Sequence, residues 1–201
     1  MIKNFRKVFL VFKRHYIPVP LEIYKDDPYK TLISTVLSAR TKDETTLAAS
    51  ERLFKKAPNI KRLSKLSDEV IKKLIFPVGF YKTKAEYLKK LAGIVIEKYY
   101  GKIPMTRMIL VSLPGVGRKT ANLVLNRAFH IPAIAVDTHV HKISNLLRWV
   151  ETKSPENTEK ELNRVLPKKY WSDMNRLFVS IGRQYRSPKK LKDFLKKESL
   201  I

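Results

Sequence analysis

The sequence predicts an all-α protein. Apolar residues recur three and four positions apart, as in Leu88, Leu91 and Val95, which is the repeat of a helix that buries one face. No sustained alternation of apolar and polar residues bounded by hairpin turn pairs is present, so strands are not predicted. The 11 prolines fall between the periodic segments. At ordinary helix lengths this punctuation predicts about ten to twelve short helices.

Two helix starts are predicted from their capping residues. Asp27 precedes Pro28, and Ser187 precedes Pro188, which is the order of an N-cap followed by proline at the first helical position. The N-terminal segment predicts an amphipathic helix, because Lys13 interrupts its short apolar run before it reaches the length of a signal peptide. No run approaches the roughly 20 apolar residues of a membrane span. We therefore expect a cytoplasmic, nucleoid-associated protein.

The charge balance favours a polyanionic partner. Lys and Arg number 42 against 18 acidic residues, which gives a net charge of +24. The basic residues are spread along the chain, as is typical of nucleic-acid binding, although a solvated lysine-rich surface or an acidic membrane remains an alternative. The sequence contains no cysteine. Disulfides, thiolate nucleophiles, zinc–thiolate sites and ordinary iron–sulfur ligation are excluded within it.

A glycine-rich hairpin is predicted between two helices. The stretch from Ser112 to Ala121 holds two of the six glycines and leads into a predicted helix from Thr120 to Phe129. Pro114 and Gly115 suit the turn, and Gly117 allows close approach of the backbone to a ligand. The N–H groups at the start of the following helix favour an anion such as phosphate. The alternative is an ordinary αα-hairpin with glycine in its turn.

Two neighbouring segments resemble a known family. LPGVGRKTANLVL, beginning at Leu113, and IPAIAVDTHVHKISNLL, beginning at Ile131, resemble the helix–hairpin–helix and the aspartate loop of the endonuclease III family of DNA glycosylases. The segments LISTVLSARTKDE, VGFYKTKAEYLKKLA, GKIP and LFVSIGRQY extend the resemblance over roughly residues 25 to 187. The specific feature is a hairpin lysine followed 18 residues later by an aspartate.

The resemblance implies a two-domain fold and a DNA substrate. A helical barrel-like domain over residues 22–132 would contain the hairpin, and residues 1–21 with 133–201 would form the second domain. DNA would lie in the cleft between them, with Lys119 and Asp137 facing each other. We expect a monomer whose partner is double-stranded DNA containing a damaged base or an abasic site, without a membrane. The DNA-binding residues implied in the hairpin are Leu113, Pro114, Gly115, Val116, Gly117 and Arg118.

The family resemblance implies that Lys119 and Asp137 are catalytic. The enzyme would excise oxidised pyrimidines and cut the strand by β-elimination through a lysine Schiff base. A free lysine amine is almost fully protonated near neutral pH, and it must lose a proton before it attacks. The predicted helix start and the neighbouring Arg118 both disfavour the ammonium form. Asp137 would accept or relay that proton, although an aspartate before a helix is also a common N-cap.

Arg40 and Phe80 are predicted to enter the space that a flipped base leaves. In similar enzymes a polar residue of an S-A-Q-type loop and an apolar wedge fill this gap. Arg40 stands where glutamine is more usual, which would alter the opposite-strand preference or add a phosphate contact. Phe80 as a core residue is the alternative. The pair His139 and His141 does not predict a metal site, because residues two apart on a helix point to different faces.

The four cysteines of the family's [4Fe–4S] loop have no counterpart here. Their spacing falls on Arg186, Asp193, Lys196 and a position beyond Ile201. We expect no cluster, and Leu191 with its apolar neighbours predicts a packed basic helix in its place. The rival functions are a glycosylase for mismatched thymine or uracil or for oxidised guanine, and a non-catalytic helix–hairpin–helix DNA-binding module. A membrane-surface protein is a more distant rival.

Overall fold

The computed structural model describes residues 4–201, and within them the regular structure is helical, as the periodicity predicts. Two short 3₁₀ helices, Pro20–Tyr24 and Lys168–Tyr170, accompany twelve α-helices in the described residues. The α-helices are α1 (Phe5–Arg14), α2 (Pro28–Ser38), α3 (Asp43–Lys56), α4 (Ile60–Lys65), α5 (Asp68–Ile75), α6 (Tyr81–Tyr99), α7 (Arg107–Ser112), α8 (Arg118–Phe129), α9 (Thr138–Leu146), α10 (Pro155–Val165), α11 (Trp171–Gln184) and α12 (Pro188–Lys197).

Both helix starts predicted from their caps are confirmed. The Asp27 carboxylate accepts a hydrogen bond of 2.9 Å from the Lys30 amide at the start of α2. The Ser187 hydroxyl accepts one of 3.1 Å from the Lys190 amide at the start of α12. In each case proline occupies the first helical position, where its missing N–H costs no intrahelical hydrogen bond.

The chain divides into two compact units. Pro20–Ile131 forms one of them, which we call the hairpin unit because it contains α7, α8 and the connection between them. The described part of Met1–Val19, which begins at Asn4, joins Pro132–Ile201 in the other. We call this the aspartate unit because it contains Asp137.

Helix α2 forms the centre of the hairpin unit. It packs against α3, α6 and α8, and its residues are buried on all sides, among them Leu32, Ile33 and Leu37. A helix surrounded in this way carries apolar and small hydroxyl side chains on all its faces, and a buried hydroxyl bonds the backbone instead of water. Thr31, for example, donates a hydrogen bond of 2.6 Å to the Tyr24 carbonyl. The packing of α2 against α6 sets the positions of the loop that follows α2 and the loop that precedes α6.

An aromatic cluster joins the terminal helices in the aspartate unit. Phe12 of α1 meets Phe178 of α11 edge to face at a centroid distance of 5.0 Å, and Trp149 lies 5.6 Å from the same ring. Helix α12 adds a face to this core, formed by Leu191, Phe194 and Leu195. The amphipathic N-terminal helix and the packed C-terminal helix are therefore confirmed. Among residues 4–201, no helix combines the length and apolar character needed to cross a membrane.

Candidate functional site

The hairpin between α7 and α8 is held by a close contact with α6. Gly115 has φ +76°, a backbone conformation that residues with a side chain rarely adopt. A Cβ at Gly115 would lie 2.8 Å from a ring carbon of Tyr87. The Val116 amide closes the turn with a hydrogen bond of 3.1 Å to the Leu113 carbonyl. The hairpin therefore has a set geometry within its unit.

The hairpin residues divide into anchors and an outward surface. Leu113 is 2% exposed and Val116 is 5% exposed, so these two side chains anchor the loop in the core. Gly115 and Gly117 are exposed, and Pro114 and Arg118 are half-buried. Any DNA contact of the two anchors is therefore limited to their main-chain atoms.

The first main-chain N–H groups of α8 donate no hydrogen bond to the side chain of an N-cap residue. Gly117 is the N-cap, and it has no side chain to accept a hydrogen bond from the first turn. These N–H groups and the helix dipole favour an anion at this end. Lys119 is the second residue of α8, and its side chain is exposed. The predicted position of Lys119 in the first turn of a helix is confirmed.

Asp137 begins α9 in the aspartate unit. Its Oδ1 accepts a hydrogen bond of 2.9 Å from the Val140 amide, so the predicted N-cap is confirmed. The residue is half-buried, and this bond fixes the direction of the carboxylate relative to α9. Lys119 belongs to the hairpin unit and Asp137 to the aspartate unit.

The two histidines after Asp137 have different neighbours. His141 pairs through Nδ1 with the Thr158 hydroxyl at 2.6 Å, which ties α9 to α10. The ring of His139 lies against the backbone of Gly182 in α11, where a Cβ would approach Nδ1 to 2.1 Å. Within residues 4–201, no group of three or more His, Cys, Asp or Glu side chains is placed to hold a metal ion. Sequence reasoning missed the role of Gly182, which only the packing of α11 against α9 reveals.

Arg40 and Phe80 lie together at the surface of the hairpin unit. The Arg40 guanidinium carbon lies 5.6 Å from the centroid of the Phe80 ring. Both residues have left-handed backbones, with φ of 53° and 58°. Phe80 is 62% exposed, so its alternative assignment to the core is wrong. We call this pair the Arg40–Phe80 pair.

Sequence reasoning also missed Lys84, which lies buried beneath the Arg40–Phe80 pair. Lys84 is 6% exposed, and burial lowers its pKa to about 8. A signal for this position was present, because Lys84 precedes Leu88 and Leu91 in the apolar repeat of α6. A lysine in that register is expected to face the core.

Comparison with known proteins identifies the family. Residues 33–168 match the model of the HhH-GPD superfamily base excision DNA repair proteins. Endonuclease III of Thermotoga maritima is 48% identical over 162 residues, which cover 81% of this chain and 76% of that protein. The chain belongs to the endonuclease III branch of the HhH-GPD superfamily. This endonuclease III-type chain is accordingly a base-excision DNA glycosylase/AP lyase that acts on DNA.

Further relatives agree with this assignment. Endonuclease III-like protein 1 of mouse is 42% identical over 163 residues, which cover 80% of this chain and 54% of that protein. This glycosylase therefore spans about half the length of the mouse relative. A solved structure of a trapped endonuclease III–DNA covalent intermediate superposes with a TM-score of 0.81 at 34% identity. That match covers 90% of this chain and 84% of the other.

The two hairpin glycines are expected to respond differently to alanine. Gly115→Ala combines a strained φ with a clash against Tyr87, so both the unfolding temperature and the affinity for duplex DNA are expected to fall. A Cβ at Gly117 meets nothing within 4 Å, so Gly117→Ala is expected to keep the unfolding temperature close to wild type. Its methyl group would nevertheless hold a phosphate away from the first turn of α8, so the affinity for duplex DNA is expected to fall. Circular dichroism melting and DNA titration separate the two effects, and equal losses of stability would contradict this account.

Proposed function

We propose that this chain excises oxidised pyrimidines from double-stranded DNA and cuts the strand at the abasic site through a Schiff base on Lys119. The observation that supports this most is the place of Lys119. It is an exposed amine in the first turn of α8, directly after a glycine N-cap that leaves the first main-chain amides of the helix without a side-chain cap. Such a helix start favours an anion such as a DNA phosphate. The 48% identity to endonuclease III of Thermotoga maritima supports the same activity.

Lys119 supplies the nucleophile. Its neutral amine attacks C1′ of the damaged nucleoside, and the base leaves with the electron pair of the glycosidic bond. Opening of the sugar ring then gives a Schiff base between Nζ and C1′. Loss of a proton from C2′ expels the 3′ phosphate by β-elimination, and water releases the lysine.

Asp137 accepts the proton that Lys119 loses and stabilises the cationic sugar as the base departs. Its N-cap hydrogen bond to Val140 uses Oδ1 and orients the carboxylate. Capping and proton transfer are compatible, because a carboxylate has two oxygens with several lone pairs.

The Arg40–Phe80 pair enters the space left by the flipped base. The aromatic ring of Phe80 is suited to stack on a neighbouring base, and the guanidinium of Arg40 is suited to hydrogen bond the base on the opposite strand. Arginine has five N–H donors and no acceptor, so Arg40 would bond acceptor groups of the opposite base. The hairpin meanwhile binds backbone phosphate, so the affinity for duplex DNA falls as the salt concentration rises. A monomer is the form expected to bind the duplex.

The proposal includes no iron–sulfur cluster. A [4Fe–4S] cluster of the family requires four cysteine thiolates, and these 201 residues contain none. The segment concerned holds α12, which packs through Leu191, Phe194 and Leu195. The residues present do not fit the cluster, and no step of the reaction is routed through it.

Borohydride trapping on a duplex with one abasic site tests the proposed function. Borohydride reduces a Schiff base to a stable amine, so wild-type protein is expected to form a covalent adduct that migrates slowly on a denaturing gel. Without borohydride, wild-type protein is expected to give cleavage products that end in the sugar fragment left by β-elimination. Binding to the duplex without adduct or cleavage would overturn the lyase assignment and favour a DNA-binding module.

Substrate specificity is tested with a panel of duplexes that differ in one base. Thymine glycol and 5-hydroxycytosine are expected to be released faster than thymine or uracil opposite guanine and faster than 8-oxoguanine. Release of mismatched thymine or of 8-oxoguanine as the fastest reaction would replace the oxidised-pyrimidine assignment. Either result leaves the trapping experiment interpretable, because that experiment starts from an abasic site.

A further inference from the structure

The ammonium group of Lys84 lies among three uncharged oxygens. Its Nζ donates hydrogen bonds to the carbonyls of Leu37 at 2.7 Å and Ala39 at 2.5 Å, and to the hydroxyl of Thr41 at 3.2 Å. An ammonium has three N–H donors, so the geometry uses all of them. With a pKa of about 8, the charged form predominates near neutral pH. Lys84 therefore binds both sides of Arg40 in the chain.

Lys84 also lies close in the chain to Phe80, the other member of the pair. Its amide donates a hydrogen bond of 3.0 Å to the carbonyl of Phe80, which is the N-cap of α6. This is the first intrahelical bond of α6, so Lys84 lies one turn after Phe80 while its side chain bonds the loop that carries Arg40.

Thr41 and Gly79 connect the same two loops directly. The Thr41 hydroxyl accepts a hydrogen bond of 3.1 Å from the Gly79 amide. A Cβ at Gly79 would lie 2.6 Å from the Arg40 carbonyl, so the two backbones are as close as glycine allows. The loops of Arg40 and Phe80 are therefore joined beneath the exposed side chains.

We propose that Lys84 is a positioning residue that holds Arg40 and Phe80 as one rigid wedge for the DNA. This inference rests on the proposed function, since it assigns a support to the residues that fill the gap of the flipped base. A wedge performs its role only if both side chains enter the duplex in a set geometry, and ordering them before DNA binds lowers the entropic cost. Burial of Lys84 keeps water away from the hydrogen bonds that maintain this order.

The competing explanation is that Lys84 only caps the C-terminus of α2, where a cation is favourable. Lys89 on the same helix offers a matched control. Its Nζ donates to the carbonyls of Ser64 at 2.7 Å and Leu66 at 2.6 Å, at the end of α4. It holds a helix end by the same chemistry without contacting the Arg40–Phe80 pair.

The test uses a duplex with 2-aminopurine opposite a stable abasic analogue. Entry of the wedge unstacks this base and raises its fluorescence, and the signal requires binding but no catalysis. Lys84→Met is expected to reduce the fluorescence rise at saturating protein by about half or more, and to lower release of an oxidised pyrimidine about tenfold. Lys89→Met is expected to keep both close to wild type at temperatures below its melting transition.

A double-mutant cycle separates positioning from general stability. In the background Arg40→Ala/Phe80→Ala, adding Lys84→Met is expected to change base release by less than about twofold, because the wedge is already gone. Thr41→Val supplies a second, milder variant, which removes the shared hydroxyl and is expected to reduce the fluorescence rise in the same direction. Lys119-dependent trapping in wild type is measured separately, so failure of the proposed function does not disguise failure of this inference.

Three results would overturn the proposal. Wild-type fluorescence and turnover in both Lys84→Met and Thr41→Val would show that the hydrogen bonds do not position the wedge. Equal losses in Lys84→Met and Lys89→Met would indicate loss of helix capping alone. Full additivity in the double-mutant cycle would show that Lys84 acts independently of Arg40 and Phe80.

Discussion

Replacing Lys119 with alanine is expected to abolish the borohydride adduct and to reduce strand cleavage at an abasic site by at least about a thousandfold. The methyl group cannot form the carbon–nitrogen bond on which β-elimination depends. Because Lys119 is exposed, its removal leaves no cavity and no buried group without a partner. The unfolding temperature and the affinity for undamaged duplex are therefore expected to change little. Gel analysis of trapped and cleaved DNA, thermal melting and a binding titration with undamaged duplex measure these four quantities.

Lys189 provides the control for this substitution. It is the exposed second residue of α12, as Lys119 is the exposed second residue of α8. Lys189→Ala removes the same charge from the same helical position and is expected to trap and cleave like wild type. Retention of the adduct in Lys119→Ala would assign the Schiff base to another amine, and an equal loss in Lys189→Ala would reduce the effect to one of net charge.

Replacing Asp137 with asparagine is expected to lower base excision by about a hundredfold to ten-thousandfold while the fold remains intact. Asparagine caps a helix about as well as aspartate, so the hydrogen bond from the Val140 amide is expected to persist. The amide oxygen cannot take up the proton of Lys119 at neutral pH. The rate of release of an oxidised pyrimidine in single-turnover conditions is the informative measurement, since it excludes product release.

Asp27→Asn is the matched control, because Asp27 caps α2 through an equivalent hydrogen bond of 2.9 Å to the Lys30 amide. Its excision rate is expected to equal that of wild type. If Asp137→Asn also retained the wild-type rate, Asp137 would be a helix cap only. A drop in unfolding temperature confined to Asp137→Asn would instead show that the carboxylate has a structural role that asparagine does not fill.

The local features of this protein were determined by its sequence. Helix periods, the caps at Asp27 and Ser187, and the first-turn position of Lys119 depend on residues within a few positions of one another. Such short-range patterns are legible in one dimension because propensity, capping and turn chemistry act between near neighbours. The hairpin and aspartate-loop segments, with Lys119 followed 18 residues later by Asp137 as their most specific feature, predicted the family, and the family match confirms it.

Tertiary structure alone decided which distant residues support the site. Arg40 meets Phe80, Tyr87 limits the space at Gly115, and Gly182 makes room for His139. Burial of Lys84 was legible in its helical register, yet its three acceptors lie 43 to 47 residues away in the chain. These contacts follow from how helices pack, and a sequence pattern records which face of a helix is buried but not which residue lies opposite it.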